Sequence, residues 1–193
     1  MTQVINSTFN GYLGPLNSIL EDDDLEDFLH DFIQGITNVD NTLIRPDWQQ
    51  FPPNQPDISS IWISFGILKK TDDYVPSTKI TPDTYSIIRN QVLEVLISFY
   101  GPASGSTQGI FRDGCSITQN RDILTQNGFA IISLSEPRNL SFQLNGQWVR
   151  RIDQIIRSRR VIEREYPIET LTSGAAGIYL DTEKGEIFIP IST

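Results

Sequence analysis

Residues that could do chemistry are few in this chain, and their spacing does not bring them together. His30 is the single histidine and Cys115 the single cysteine among 193 residues. Zinc sites use several His or Cys ligands, and a catalytic triad needs a histidine that an acid orients. Asp22-Asp23-Asp24 lacks the glycine and the distal glutamate of a calcium loop. We therefore predict no catalytic, metal or cofactor site, and we predict that the protein is not an enzyme.

Two glycine-containing segments also lack the features of catalytic or phosphate-binding loops. Residues 101–105 have no glycine two positions before Ser104, which a nucleophile elbow requires. Residues 105–109 are not followed by the Lys-Ser/Thr pair of a phosphate-binding loop. A small enzyme with an unrecognised site stays an alternative, which a buried carboxylate pair with perturbed pKa values in a cleft would support.

Positive charge is concentrated between Arg138 and Arg164. Seven arginines stand there against two carboxylates, in a chain whose net charge is -9. Residues 145–168, NGQWVRRIDQIIRSRRVIEREYPI, are predicted to form one long strand. Residues 148–162 alone would span about 50 Å, whereas ordinary strands have ~3–10 residues. Arginines interleaved with apolar residues on both faces are typical of a subunit interface, where arginine is enriched.

The natural complement of these arginines is the segment Glu21–Asp31, which has seven carboxylates and no Lys or Arg. We expect the arginines to contact acidic groups of a neighbouring subunit. The alternatives are a solvated strand with extended arginine stems and a nucleic-acid site, which the pI near 4.5 disfavours. The candidate interface residues are Arg45, Trp48, Phe51, Trp148, Arg150, Arg151, Arg157, Arg159, Arg160, Asp22, Asp23 and Asp24.

The elements that position these residues follow from apolar periodicity. A helix is predicted from Asp22, with apolar residues at helical spacing from Leu25 to Ile36 and Asn38 after its end. Residues 45–57 hold four prolines and are expected to form an extended surface segment rather than a ladder strand. Alternation predicts strands at 61–67, at 91–99 with a start as early as Tyr85, and at 129–136. A short helix capped by Asn120 is expected before Gly128.

This order of elements predicts an α+β fold with a mainly antiparallel central sheet and flanking helices. We expect an N-terminal arm (1–20) that becomes ordered on a partner, an α+β domain (21–171) and a C-terminal β-hairpin extension (172–193). No apolar run approaches the ~18 residues of a membrane helix, and the first residues lack the features of a secretory signal. A lone cysteine fits a reducing cytoplasm, and a virion or a disulfide-free secreted protein stays an alternative.

Four segments, taken in order, resemble one known family. They are RPDWQ through PPNQP to WISFGI (45–67), SFYGP (98–102), QNRDILTQNG (119–128), and NGQWVRRID with the trailing RSRR and YPI (145–168). Over about residues 43–171 this set is similar to the neck or tail terminator proteins of contractile-tailed bacteriophages. The resemblance implies an α+β subunit with a central sheet and no catalytic residues.

The same resemblance implies a structural protein of the virion neck, assembled in the host cytoplasm. Such proteins form a homo-hexameric ring between the head-tail connector and the tail tube. The ring ends polymerisation of the tube, caps the sheath where there is one, and lets DNA pass through its lumen without specific recognition. The alternative within the same class is another tail-completion or head-tail connector ring protein. No membrane association and no cofactor is expected.

Overall fold

The secondary structure alternates short and very long strands with three helices. The structure is a computed structural model that describes residues 8–9, 12–51, 53–81, 84–167, 177–182 and 185–190. The helices of these residues are α1 (Asp22–Thr37), α2 (Ser104–Gly114) and α3 (Thr118–Gln126). The strands are β1 (Thr8–Phe9), β2 (Tyr12–Leu13), β3 (Ile44–Pro46), β4 (Trp62–Asp72), β5 (Ser77–Ile80), β6 (Thr84–Tyr100), β7 (Phe129–Leu134), β8 (Arg138–Asn139), β9 (Phe142–Leu144), β10 (Gln147–Val149), β11 (Arg151–Pro167), β12 (Gly177–Thr182) and β13 (Gly185–Pro190).

A seven-stranded mixed sheet organises the subunit around β6 and β11. Its main path is β3-β4-β6-β11-β7, while β5 pairs with β6 and β8 pairs with β11. β6 and β11 are antiparallel along their whole length, from Tyr100 opposite Arg151 to Thr84 opposite Pro167. Only β3 and β4 are parallel among the pairs that the structure describes. The predicted α+β fold with a mainly antiparallel sheet is therefore confirmed.

The three helices cover one face of the sheet and close the hydrophobic core. β-branched and aromatic residues of β6 alternate toward this face, as strand geometry requires. The stripe predicted on α1 packs against them, and Phe28 stacks on Phe129 with ring centroids 4.5 Å apart. The core comprises Leu25, Leu29, Ile33, Ile44, Ile63, Phe65, Leu93, Val95, Ile97, Phe99, Phe111, Cys115, Leu124, Phe129 and Ile156.

The ends of the main elements follow from local chemistry. α1 begins at Asp22, where the unpaired N–H groups of the first turn favour carboxylates, and it ends at Thr37, just before Asn38, which takes the left-handed conformation (φ 52°). β6 ends at Tyr100 and is followed by Gly101 (φ +96°), where a Cβ would lie 2.2 Å from the carbonyl oxygen of Ser60. Only glycine has room for this close approach of the two backbones.

Several predicted boundaries are corrected by the structure. The predicted single strand at 145–168 is broken at Arg150: β10 pairs with β9 in a small hairpin, and β11 begins at Arg151. The turn at Asn145-Gly146, where both residues have positive φ, produces this hairpin. Arg45 and Pro46 do enter the ladder, in the short edge strand β3, where proline is tolerated.

The region between β6 and β7 is more helical than its glycines indicated. Residues 104–114 form α2, and α3 begins at Thr118, two residues before the expected cap. Asn120 lies inside the first turn of α3, and its Nδ2 donates a hydrogen bond to the carbonyl oxygen of Gly114 (2.9 Å). Burial against the sheet therefore outweighs the intrinsic cost of glycine in α2.

Both chain ends are described in part. In the predicted arm, residues 1–7, 10 and 11 lie outside the described residues, while Leu16 and Asn17 bind the edge of β11. The side-chain amide of Asn17 donates to the carbonyl oxygen of Glu163 and accepts from the N–H of Glu165, both at 2.8 Å. At the C-terminus β12 pairs with β13 across Thr182 and Gly185. The division into an arm, a domain and an extension stays a prediction.

A buried ion pair fastens α1 to the sheet. Arg160 is 3% exposed, and its guanidinium donates hydrogen bonds to Gln91 Oε1 and Glu21 Oε1, both at 2.8 Å, and to the carbonyl oxygen of Leu20. Glu21 also accepts from Lys70 Nζ at 2.8 Å. Burial alone would raise the pKa of Glu21, but these hydrogen bonds from Lys70 and Arg160 outweigh it and lower the pKa.

We expect Glu21→Gln to lower the free energy of unfolding by about 2 kcal/mol, because a buried guanidinium loses its counter-ion. The loss stays below the ~3–5 kcal/mol of a fully broken buried pair, since Gln91 and Leu20 still accept from Arg160. Urea denaturation measures the effect. Asp122→Asn on the exposed side of α3 is the charge-matched control and should change stability by less than about 0.5 kcal/mol. Equal effects of the two variants would contradict the proposed fastening.

The same contact has a defined pH dependence. The pKa of Glu21 is lower in the folded chain than in the unfolded chain, so its contribution is present above about pH 4.3 and is lost as the pH falls through the folded pKa. The stability difference between the wild type and Glu21→Gln should therefore shrink on acidification. Denaturation curves measured from neutral to acidic pH check this, and a difference that grows in acid would contradict it.

Candidate subunit interface

The sheet face opposite the helices carries the exposed arginines of β11. Alternation along β11 turns Arg157 and Arg159 to this face, and Arg160 to the helical face. Arg157 lies beside Glu94 of β6, which lies beside Lys69 of β4, so one row of charges crosses three strands. Arg157 Nε is 3.2 Å from Glu94 Oε1. Arg159 is exposed opposite Val92.

Aliphatic side chains lie between these charges. Val92 and Leu96 of β6 and Ile155 and Val161 of β11 alternate onto the same face, and Val161 is half exposed. A solvated face of an antiparallel sheet is normally polar, with its apolar residues turned to the core. We refer to Lys69, Val92, Glu94, Leu96, Ile155, Arg157, Arg159 and Val161 as the uncovered sheet face. Its mixture of arginine and aliphatic residues has the composition of a protein interface.

Aromatic and charged side chains form a cluster at the end of this sheet face where β6 ends and β11 begins. Trp62 and Tyr100 stack with ring centroids 3.8 Å apart and an interplanar angle of 2°. Arg151 lies over the Tyr100 ring, 5.4 Å from its centroid, and pairs with Asp153 at 2.7 Å. The hydrogen bond to Asp153 raises the pKa of Arg151. These contacts hold Arg151 within its own chain.

A loop covers part of that cluster and presents two large aromatic side chains. Trp48 is 74% exposed and Phe51 is 84% exposed. The backbone of Trp48 takes a positive φ of 59°. The Trp48 ring lies over Gly66, where a Cβ would come within 2.6 Å of it. A non-glycine residue at positive φ is strained and persists only where its surroundings impose it. The loop therefore holds Trp48 in one orientation while exposing most of its ring.

A cleft of about 360 Å³ separates the loop from the sheet. Asp47, Trp48, Trp62, Tyr100 and Arg151 are among its lining residues. Burial raises the pKa of Asp47, although a hydrogen bond from Ser64 and the charge of Arg151 partly offset that effect. The charge of a second carboxylate, Asp153, also raises the pKa of Asp47, but Asp153 is itself held by Arg151 at 2.7 Å.

The outer side of α1 is acidic. Asp22, Asp23, Asp24 and Asp27 are exposed, and α1 contains no Lys or Arg. Burial, followed by the neighbouring charges of Asp23, Asp27 and Asp22, raises the pKa of Glu26. Clefts of about 470 and 320 Å³ connect Asp23 and Glu26 with the loop around Trp48 and with His30. We refer to Asp22, Asp23, Asp24, Glu26 and Asp27 as the acidic helix face.

The structure separates the predicted interface residues into free and engaged groups. Arg45 donates to the carbonyl oxygens of Thr42 (3.2 Å) and Asn54 (2.7 Å), and Arg150 donates to that of Pro102 (3.1 Å). Trp148 is exposed on the β9–β10 hairpin. Arg160 is buried within its own subunit, so its predicted contact with a neighbouring subunit is corrected to an intrachain contact with Glu21. One of the predicted contacts between the arginines and the acidic segment, Arg160 with Glu21, is therefore formed within a single chain.

Sequence reasoning missed two features of these surfaces. One is the pairing of Glu21 with Lys70 and Arg160. Had the register of β11 against β6 been known, it would have predicted that Arg160 lies on the same side of the sheet as α1. The other is the cluster of Trp62 with Tyr100, which rests on cross-strand pairing of residues 38 positions apart. Neither contact has a local sequence signal, because both depend on which strands are neighbours.

Other residues that could do chemistry are accounted for by the fold. Burial raises the pKa of the Cys115 thiol to about 12, which keeps it protonated and unreactive in the core. His30 lies 3.2 Å from Asp31 Oδ1 and from the carbonyl oxygen of Asn41. Among the described residues no group of three His, Cys, Asp or Glu side chains could hold a metal ion, and no helix has the length and apolarity to cross a membrane.

Comparison with known proteins identifies the family. The family model described as phage neck terminator protein matches residues 23–183 of this chain. A comparison with curated proteins gives no match. The matched residues include all of α1 except Asp22, the whole seven-stranded sheet, α2 and α3. The resemblance seen in the sequence is therefore confirmed. Because the match extends over far more than half of the chain, this protein belongs to the phage neck terminator protein family, a family of structural virion proteins of bacteriophages.

Proposed function

We propose that this protein forms the terminator ring of the phage neck. The ring ends polymerisation of the tail tube, and of the sheath where there is one, and it joins the tail to the head connector. Family membership supports the place in the virion. The observation that carries the ring is the presence of two chemically different exposed surfaces on one subunit, the uncovered sheet face and the acidic helix face. A closed ring needs such heterologous, head-to-tail contacts.

The partners of the ring follow from this position. Copies of the same chain form the ring, proposed to be a homo-hexamer, and connector proteins lie on one side of it. Tail tube and sheath proteins lie on the other side. DNA passes through the lumen without specific recognition, in keeping with the net charge of -9. Assembly takes place in the host cytoplasm.

The loop that exposes Trp48 and Phe51 is proposed to bind an adjoining ring. Trp48 and Phe51 expose two large apolar side chains that water does not favour. Tryptophan at the centre of an interface often contributes a large share of the binding free energy. The strained backbone of Trp48 fixes the orientation of its ring before binding, which lowers the entropy lost on docking. We propose a second contact area at Arg150 and at Trp148, which is exposed on the β9–β10 hairpin.

Loss of the protein should produce a defined assembly defect. Particles made without it are expected to contain tails of uncontrolled length that are not attached to heads, because nothing ends tube growth. Negative-stain electron microscopy of lysates measures the tail lengths. Tails of normal length that fail to attach would contradict the terminator function and would favour another connector ring protein. Complementation with the wild-type gene is the control.

We expect Trp48→Ala to reduce the yield of infectious particles at least tenfold while the isolated subunit stays folded. An exposed side chain contributes little to the fold, whereas removing an interface tryptophan costs about 2 kcal/mol or more of binding free energy. Plaque titre and thermal unfolding of the purified chain measure the two effects. Tyr74→Ala, which removes another fully exposed aromatic side chain from a different loop, is the matched control.

A second variant tests the fixed orientation of the Trp48 ring. Gly66→Ala keeps the amino-acid sequence of the loop unchanged. The added Cβ would collide with the Trp48 ring and press against Asp47, so the ring must move. This variant should reproduce part of the defect of Trp48→Ala. Normal titres from both variants would contradict the role of the loop in docking.

A further inference from the structure

The two charged surfaces of the subunit lie on opposite layers. The acidic helix face belongs to α1, which packs on one side of the sheet. The uncovered sheet face, with Lys69, Arg157 and Arg159, belongs to the other side. The acidic helix face consists of five carboxylates. The uncovered sheet face has three cations and the carboxylate of Glu94, and the exposed Glu163 continues the same side of β11 beyond Val161.

We propose that the uncovered sheet face of one subunit docks on the acidic helix face of the next copy of this chain. The inference rests on the proposed ring and specifies its subunit contact. A second copy is the occupant that the charges favour, because each subunit carries both halves of the complementary pair. Since the two halves lie on opposite layers, one subunit can use both at once, as a head-to-tail ring requires.

Side-chain chemistry supports the same contact. Within the described part of the chain, Arg159 has an aliphatic neighbour, Val92, directly across the strand pair, and the ion-pair partner of Arg157 is the partly exposed Glu94. Each guanidinium therefore keeps N–H donors for carboxylates of a partner, and a guanidinium can bind a carboxylate in a bidentate manner. The aliphatic residues Val92, Leu96, Ile155 and Val161 would be removed from water by the same docking.

The acidic helix face gains from the contact as well. Burial, followed by the charges of Asp23, Asp27 and Asp22, raises the pKa of Glu26 on this face. Lys70 and Arg160 are engaged by Glu21 behind this face and lie on the helical side of the sheet. Cations from a neighbouring subunit would relieve the repulsion among Asp22, Asp23 and Asp27, so association should weaken as salt screens these charges.

Charge reversal on each side tests the contact. The sheet variant is Arg157→Glu with Arg159→Glu, and the helix variant is Asp23→Lys with Asp27→Lys. Each variant alone should associate at least tenfold more weakly than the wild type in sedimentation velocity at low salt, because like charges then face each other. An equimolar mixture of the two variants should associate again, since the reversed sheet face of one chain meets the reversed helix face of the other, and their two unreversed faces meet each other.

Controls separate this outcome from general effects of charge and folding. Arg112→Glu with Arg121→Glu, at exposed positions of α2 and α3, changes the net charge by the same amount as the sheet variant and should associate like the wild type. Arg159→Glu alone avoids placing a glutamate opposite Glu94 and should weaken association while thermal unfolding stays unchanged.

Two results would overturn the proposal in distinguishable ways. If the wild type associates but the sheet and helix variants associate equally well, or their mixture does not recover, the specified contact is wrong and the ring stands. If the wild type stays monomeric at every concentration and salt tested, the contact and the proposed ring are both contradicted.

Discussion

The pairing of β6 with β11 over seventeen residue pairs is the constraint on which the rest of the structure depends. Because a strand alternates its side chains, one register decides the side of every residue on both strands. It sends Val95, Ile97 and Ile156 into the core beneath the helices. It also sends Arg157, Arg159 and their aliphatic neighbours to the opposite face. A shift by one residue would bury Arg157 and Arg159 and expose Ile156, so core formation and surface chemistry are specified together.

The same alternation explains why neighbouring arginines have different roles. Arg159 and Arg160 are adjacent in sequence, yet one is exposed on the sheet and the other lies buried against Glu21 and Gln91. Removing an arginine from water is costly, so its burial requires a counter-ion and satisfied N–H donors. Glu21 meets that requirement and fixes the start of α1 on the sheet. The acidic residues that follow, from Asp22 to Asp27, then point outward.

Local patterns in the sequence predicted local structure well. The apolar stripe of α1, the strands predicted at 61–67, 91–99 and 129–136, and the strands of the C-terminal hairpin were all visible from periodicity and turn residues, although β7 ends at Leu134. The break at Arg150 and the intrachain partner of Arg160 were not, since they depend on the β9–β10 hairpin and on the register of β11. The family resemblance indicated the neck of a phage, and the residues alone indicated only a charged interface. What each exposed arginine contacts depends on the assembly, which no single chain contains.

We propose that this chain forms a ring in which the uncovered sheet face meets a neighbouring subunit. Cryo-electron microscopy of the virion neck tests it most directly, because the map shows every subunit boundary. We expect a ring between connector and tail tube, with Arg157 and Arg159 within hydrogen-bonding distance of carboxylates on α1 of the adjacent subunit. A ring whose Arg157 and Arg159 side chains face solvent, or a neck without this protein, would contradict the account.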